Sequence, residues 1–296
     1  MRGEDNPHFT PDRMGAADTD SLTASCEPIG VPDELRAAAL QLLAQCDAQI
    51  KAESTMTLKH RWEAGELSLE RATVLRSGAA IPGRPDHPTL VSPRALERRP
   101  MNTVAGRAAL IHALAHIEFN AINLALDAIW RFPDMPAEFY LDWLQVAAEE
   151  ALHFTLLNTH LGSLGHTYGD FNAHNSLWEM AEKTREDVLA RMALVPRTLE
   201  ARGLDATPAV RAKLAQAGDQ QAAAILDIIL RDEVGHVAIG NRWYGWLCQQ
   251  KGAEPLSTYR ELARHYKAPV LKGPFNLEAR RAAGFTAEEL IALDKV

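Results

Sequence analysis

Three features of the 296-residue chain predict an all-α fold. Ala-rich and Leu-rich windows run from Leu35 to Leu247, apolar residues within them recur at steps of three and four, and alternating Val/Ile/Thr runs are scarce. Hydrophobic residues make up 47% and charged residues 24%, a balance that lets the chain bury a core rather than stay unfolded. At about 150 residues per domain the length would admit two domains. The pattern instead predicts one four-helix bundle over 101–250 with a long crossover between its second and third helices. A helical segment and connector (31–100) precede it, and an extension (251–296) packs on it.

Residues 1–30 are polar and aperiodic and read as a loosely held tail. Pro32-Asp33-Glu34 opens a helical pattern through Leu35, Ala39, Leu42, Leu43, Cys46 and Ile50, and a second short helix is expected from Leu69 to Arg76. The prolines between Ile81 and Pro88 remove backbone donors and end any helix there. The first bundle helix runs from about Thr103 to Phe132, with an inward stripe of Ile111, Ala115, Glu118, Ile122, Ala125 and Ile129; Pro133 and Pro136 stop it. The second, about Ala137 to Leu161, carries Phe139, Trp143, Val146, Glu150, His153 and Leu157 on one face. Gly162 to His174 follows without a helical period. At about 3.3 Å per residue it can travel the length of a helix, so it is the expected crossover. The third helix is expected from Ser176 towards Arg202, kinked at Pro196 and ended at Gly203 with Pro208 beyond. The fourth, about Asp219 to Gln249, has the stripe Ala222, Leu226, Ile229, Glu233, His236, Gly240.

The chemistry lies in what interrupts these stripes. Burying an unpaired carboxylate or imidazole costs several kcal/mol, so each interruption requires a partner. A lone Glu-x-x-His is commonly a satisfied surface pair. Here two such pairs, Glu150/His153 and Glu233/His236, sit on apolar faces, and Glu118 interrupts a third. In antiparallel hairpins, near-equal sequence separations put carboxylates at one level, and Glu118 to Glu150 (32 residues) matches Glu200 to Glu233 (33 residues). Glu182 and Glu186 share the face of Glu200 but fall outside that spacing; Glu182 is the next candidate. Glu118, Glu150, His153, Glu200, Glu233 and His236 thus form a set of four carboxylates and two imidazoles, the donor composition of di-iron and di-manganese carboxylate bundles. Bridging carboxylates partly neutralise two cations, and neutral imidazoles suit iron or manganese. Two iron ions are the expected cofactor, with manganese or a mixed pair as the alternative; zinc sites take fewer ligands around one ion. His112, His116, His166, Tyr168 and the six tryptophans read as packing or connector residues.

The net charge of −8 argues against a surface that is basic throughout. Residues 257–281 nevertheless carry six Lys or Arg against Glu261 and Glu278. Folded over the open end of the bundle, they would bring Arg260, Arg264 and Lys267 to a phosphate-bearing substrate; a solvated basic face is the plainer reading. Cys26, Cys46 and Cys248 form no Cys-x-x-Cys, and the polar start lacks a signal-peptide core, so a reducing cytoplasm is expected, without membrane attachment.

The strings His116-Ile117-Glu118, His166-Thr167-Tyr168-Gly169-Asp170-Phe171, Glu200-Ala201-Arg202-Gly203-Leu204-Asp205 and Asp232-Glu233-Val234-Gly235-His236 make the chain resemble the ferritin-like superfamily over about residues 80 to 290, and within it an uncharacterised bacterial family, a domain of unknown function. More distantly it is similar to the di-iron tRNA hydroxylases that oxidise an isopentenyl-modified adenosine. The resemblance implies that Glu149 and Asp232, each preceding a Glu-x-x-His, orient metal-bound histidines. It also implies an oxygen-activating monooxygenase or hydroxylase acting on a small-molecule or tRNA-linked substrate, with an electron-donor protein. Fold-level likeness fixes no substrate. A ferroxidase or iron-handling protein and a non-enzymatic helical module with a structural di-metal site are the other classes; the oligomeric state, monomer or dimer, stays open.

Overall fold

The computed structural model describes residues 31–97 and 99–293, so the expected tail, with Cys26, lies outside the described residues. Every regular element among them is helical, apart from two isolated bridges, Glu34 with Ser68 and Leu90 with Ala173. The opening helical pattern is two helices, α1 (Leu35–Ala44) and α2 (Ala48–Glu63). Glu34 caps the first through the amides of Arg36 and Ala37, and Asp47 caps the second through the amide of Ile50, which resets the chain at the point where one continuous helix was expected. Residues 69–76 are not helical. The buried guanidinium of Arg36 collects the carbonyls of Glu70, Arg71 and Thr73, and those of Ile129 and Trp130. Those carbonyls point at one cation, so they cannot close helical turns.

Helix α3 (Val104–Arg131), capped by Thr103, and helix α4 (Ala137–Ser163) form the interior hairpin. Of the described helices α3 is the one long and apolar enough to cross a membrane, and 72% of its most apolar window is buried inside the fold. The expected third helix is broken. Helix α5 (Ser176–Lys183) is separate from α6 (Val188–Leu194), which Asp187 caps; a π-helical turn, Val195–Glu200, joins α6 to α7 (Ala201–Gln216). Helix α7 continues past Gly203 and Pro208, where an end was expected; Pro208 lies at its eighth residue. Helix α8 (Gln220–Lys251) starts at the Asp219 cap and ends at Gly252, which adopts the left-handed conformation.

Side-chain pairs fix the helix directions. Asp219, before α8, meets His160 near the end of α4 at 2.9 Å and Arg107 near the start of α3 at 3.8 Å. At the other end, Asp142 of α4 pairs with Arg242 of α8, and Arg191 of α6 with the buried Asp127 of α3. Helices α3 and α8 therefore run one way, and α4 and the α6–α7 tract the other. The chain climbs back between them over residues 164–187, a longer crossover than Gly162 to His174, with α5 inside it. Ser176–Lys183, which the sequence pattern assigns to the start of the third helix, belongs to that return.

The extension contributes α9 (Pro255–His265), α10 (Leu277–Ala282) and α11 (Ala287–Leu293). It is tied to α8 by Tyr244 donating to the Pro255 carbonyl at 2.6 Å and Asn241 donating to that of Ala283 at 2.8 Å, and to α7 by Arg280 on Asp205 at 2.6 Å.

Candidate metal centre

Helices α3, α4 and α8 present Glu118, Glu150, His153, Glu233 and His236 to one interior point, all at most 8% exposed. Glu200, the last residue of the π turn, is half-buried as a residue, but its Oε2 is buried. It is close enough to feel the charges of Glu150 and His236. Glu182 and Glu186 are exposed and engage Arg185, which leaves Glu200 as the carboxylate of this tract that faces the cluster.

Two groupings could each hold an ion: Glu118 with Glu150 and His153, and Glu150 with Glu233 and His236, with the ligand atoms of each group within 4.8 Å of one another. Glu150 belongs to both and divides its oxygens between them, Oε2 at 3.2 Å from His153 Nδ1 and Oε1 at 3.0 Å from His236 Nδ1. Glu118 Oε2 lies 3.7 Å from His153 Nδ1, and Glu233 Oε1 lies 3.9 Å from His236 Nδ1. The outer nitrogens are held as well. His153 Nε2 is 3.1 Å from Asp232 on α8, and His236 Nε2 is 2.7 Å from Glu149 on α4. With Asp232 and Glu149 placed beside those outer nitrogens, Nδ1 of each histidine is the atom turned toward the cluster.

The donor set fits cations. Glu118 Oε2, Glu200 Oε2 and Glu233 Oε2 are buried without a hydrogen-bond partner, and Glu150 Oε1 has beside it only Nδ1 of His236. Orphaned acceptors in such number are rare in protein interiors, and coordination would satisfy each of them. Burial, followed by the charge of Glu150, raises the carboxyls of Glu118 and Glu233 and pushes Glu200 up to about 8. Burial acts to raise Glu150 too, but the charge of His236 and hydrogen bonding to both histidines outweigh it and hold Glu150 below the usual carboxylate range. Burial acts to lower the histidines; Glu118 and Glu150 push His153 up to about 11, and Glu150 with Glu149 takes His236 well above its ordinary value. Protons thus stand where divalent charge would otherwise balance four clustered carboxylates.

The π turn is a feature sequence reasoning missed. Pro196 cannot donate, Thr198 Oγ1 donates to the Ala193 carbonyl at 2.7 Å, and the widened turn re-aims the residues that follow. Gly240, one turn beyond His236, is the notch that receives it: a Cβ there would meet the Pro196 Cβ at 2.6 Å. The available signal was a proline inside one helical pattern and a glycine on the inward stripe of another.

His112 and His116 fasten the crossover to α3 rather than joining the cluster. His112 Nε2 accepts from the Gly169 amide at 2.9 Å, and His116 Nδ1 lies 2.8 Å from the Tyr168 hydroxyl, whose ring packs on Phe119 and Phe154. Arg260 and Arg264, on α9, line a cavity beside Arg197 that none of the six cluster residues borders, and Lys267 is not among its lining residues. Arg260 and Arg264 thus share a cavity with Arg197 of the π turn rather than one with the clustered carboxylates.

A family model described as "Protein of unknown function (DUF455)" matches residues 44–291. An uncharacterised protein of Haemophilus influenzae is 53% identical over 213 residues, covering 70% of this chain and 74% of that one. No solved structure matches.

Proposed function

We propose, for a chain that belongs to the DUF455 family and so inherits no assigned activity, that the cluster is a di-metal carboxylate centre of an oxygen-activating enzyme of the hydroxylase class. One observation carries the reading: Glu150 turns one oxygen toward each of two histidines, and each histidine is backed by an acidic residue of the opposite helix. This is how a bridging ligand sits between two ions. The run of helix directions, two antiparallel pairs joined by a long return, supports a ferritin-like bundle as the frame.

Glu118 and His153 would hold one ion, Glu233 and His236 the other, Glu150 both, and Glu200 completes the set from the π turn. When bound, a pair of iron ions supplies one-electron redox chemistry toward dioxygen. The protein's own part is to fix the ligands, to keep Nε2 of each histidine protonated through Asp232 and Glu149, and to exclude water with the apolar stripes that surround the cluster. The carboxyls of Glu118, Glu200 and Glu233, and Nδ1 of His153 and His236, would release their protons to solvent as cations enter. The substrate is proposed to be a small molecule or a tRNA-linked base, reduced equivalents coming from a donor protein.

The test is anaerobic loading with ferrous iron, then metal analysis, followed by dioxygen uptake with isopentenyl-bearing tRNA and with bulk small-molecule extracts. Two irons per chain and an oxygenated organic product are expected. Fewer than two irons bound, or a large mineral core growing in an assembled cage, would overturn the reading, the latter in favour of iron storage.

A further inference from the structure

The extension closes a cavity of about 520 Å³ whose polar side is almost wholly arginine: Arg197 from the π turn, Arg260 and Arg264 from α9, and Arg280 from α10, against Glu289 alone. The rest of the wall is apolar and includes Ala263, Leu271 and Leu293. Two of the arginines are built into the protein. Arg197 is 6% exposed and Arg280 0% exposed. Arg197 donates to Asn241 at 3.1 Å and to Glu289; Arg280 donates to Asp205 and to the Ala201 carbonyl. Yet Nε of Arg197 and Nη1 of Arg280 are buried without an acceptor. Both atoms lie beneath the cavity wall, so Arg197 and Arg280 give the cavity positive charge that their few buried acceptors leave incompletely offset. Both guanidiniums are also fixed in place by aromatic rings, Arg197 by Tyr244, Tyr259 and Phe285, Arg280 by Phe275 and Phe285. Nothing has to be ordered for them to bind.

We propose that this cavity binds an amphipathic organic anion, a carboxylate or a phosphate monoester whose head meets Arg197, Arg260 and Arg264 and whose apolar body lies along Ala263, Leu271 and Leu293. The volume is that of a small-molecule site. The charges favour this class: counting Asp205, which pairs with Arg280, four guanidiniums face two carboxylates. The site shares no residue with the metal cluster, so it stands or falls separately from the di-metal reading. It is nonetheless adjacent, since Arg197 lies one turn before Glu200 on the same π segment.

The test is calorimetric titration of the full-length protein, once stripped of metal with a chelator and once loaded with iron, using decanoate, decyl phosphate, decanol and inorganic phosphate as probes. Decanoate and decyl phosphate should bind equally well to both metal states, with decanol and inorganic phosphate weaker by about tenfold or more. Arg260→Ala with Arg264→Ala, both exposed and remote from the core, should weaken both anions by about tenfold and reduce the salt dependence; Ala263→Trp should block the cavity. Thermal melts confirm that the variants fold. No binding of either anion, decanol binding as tightly as decanoate, inorganic phosphate binding as tightly as decyl phosphate, or affinity unchanged in both variants would overturn the proposal. Binding seen only with iron present would place the anion on the metals and overturn it as well.

Discussion

Glu149 on α4 and His236 on α8 meet at 2.7 Å, the shortest histidine–carboxylate contact of the cluster, and Asp232 on α8 returns the arrangement by reaching His153 on α4 at 3.1 Å. The acidic residue before each Glu-x-x-His therefore serves the histidine of the other helix, not its own. Glu149→Gln and Asp232→Asn keep the shape and weaken the hold on the Nε2 proton. Each should lower metal affinity by about ten- to a hundredfold with little change in folding, measured by competition against a chromogenic chelator. Affinity unchanged in both would show the contacts to be incidental.

Glu150 and Glu200 should differ sharply. Because Glu150 enters both ligand groups and Glu200 neither, Glu150→Ala should strip both ions while Glu200→Ala retains at least one. Metal analysis of the purified variants, with circular dichroism to verify helix content, decides this. Equal losses would remove the special place given to Glu150.

The metal-free protein should lose stability as pH rises. Burial and the charge of Glu150 raise Glu200 from 4.5 to about 8, so in that window the unfolded state has released a proton that the folded state keeps, and stability falls with pH. His153, raised from 6.5 to about 11 against the pull of burial, extends the same trend upward. Ions bind the deprotonated carboxyls, so the gap in melting temperature between loaded and stripped protein should widen from pH 6 to pH 8. Glu200→Gln should flatten the first part of the stripped profile. A metal-free protein that gains stability over that range would contradict the assignment.

Gly240→Ala should cost about 1–3 kcal/mol, because the new methyl would press on the Pro196 ring at 2.6 Å and a proline ring cannot rotate aside as a flexible side chain would. Gly245→Ala, on the same helix with nothing within 4 Å, should instead stabilise by about 0.5–1 kcal/mol. Denaturant unfolding of the two variants gives the comparison, and equal effects would show that the Pro196 contact carries no weight.

Helix positions and the cluster were largely legible because one rule governs both: a residue every third or fourth place faces inward, and Glu118, Glu150, His153, Glu233 and His236 broke apolar stripes at that period. What escaped depends on distant partners. Residues 69–76 have no helix because Arg36, more than thirty positions away, takes their carbonyls. Pro208 sits inside a helix because α7 packs along α8, and tertiary packing overrides a local stop signal. The crossing of Glu149 to His236 could not be read from spacing at all, since the spacing is the same whichever histidine each acid serves.

That crossing makes α4 and α8 a mutual brace, and in the proposed di-metal centre its consequence would be thermodynamic coupling between the two ion positions. An ion held by Glu118 and His153 would tighten Asp232 on α8, one residue from Glu233, and would settle Glu150, which also belongs to the second ligand group. Reciprocity requires the converse from the His236 side. Loading should then be cooperative, with singly occupied protein scarce at half saturation, so the chain would pass from proton-filled to metal-filled nearly in one step.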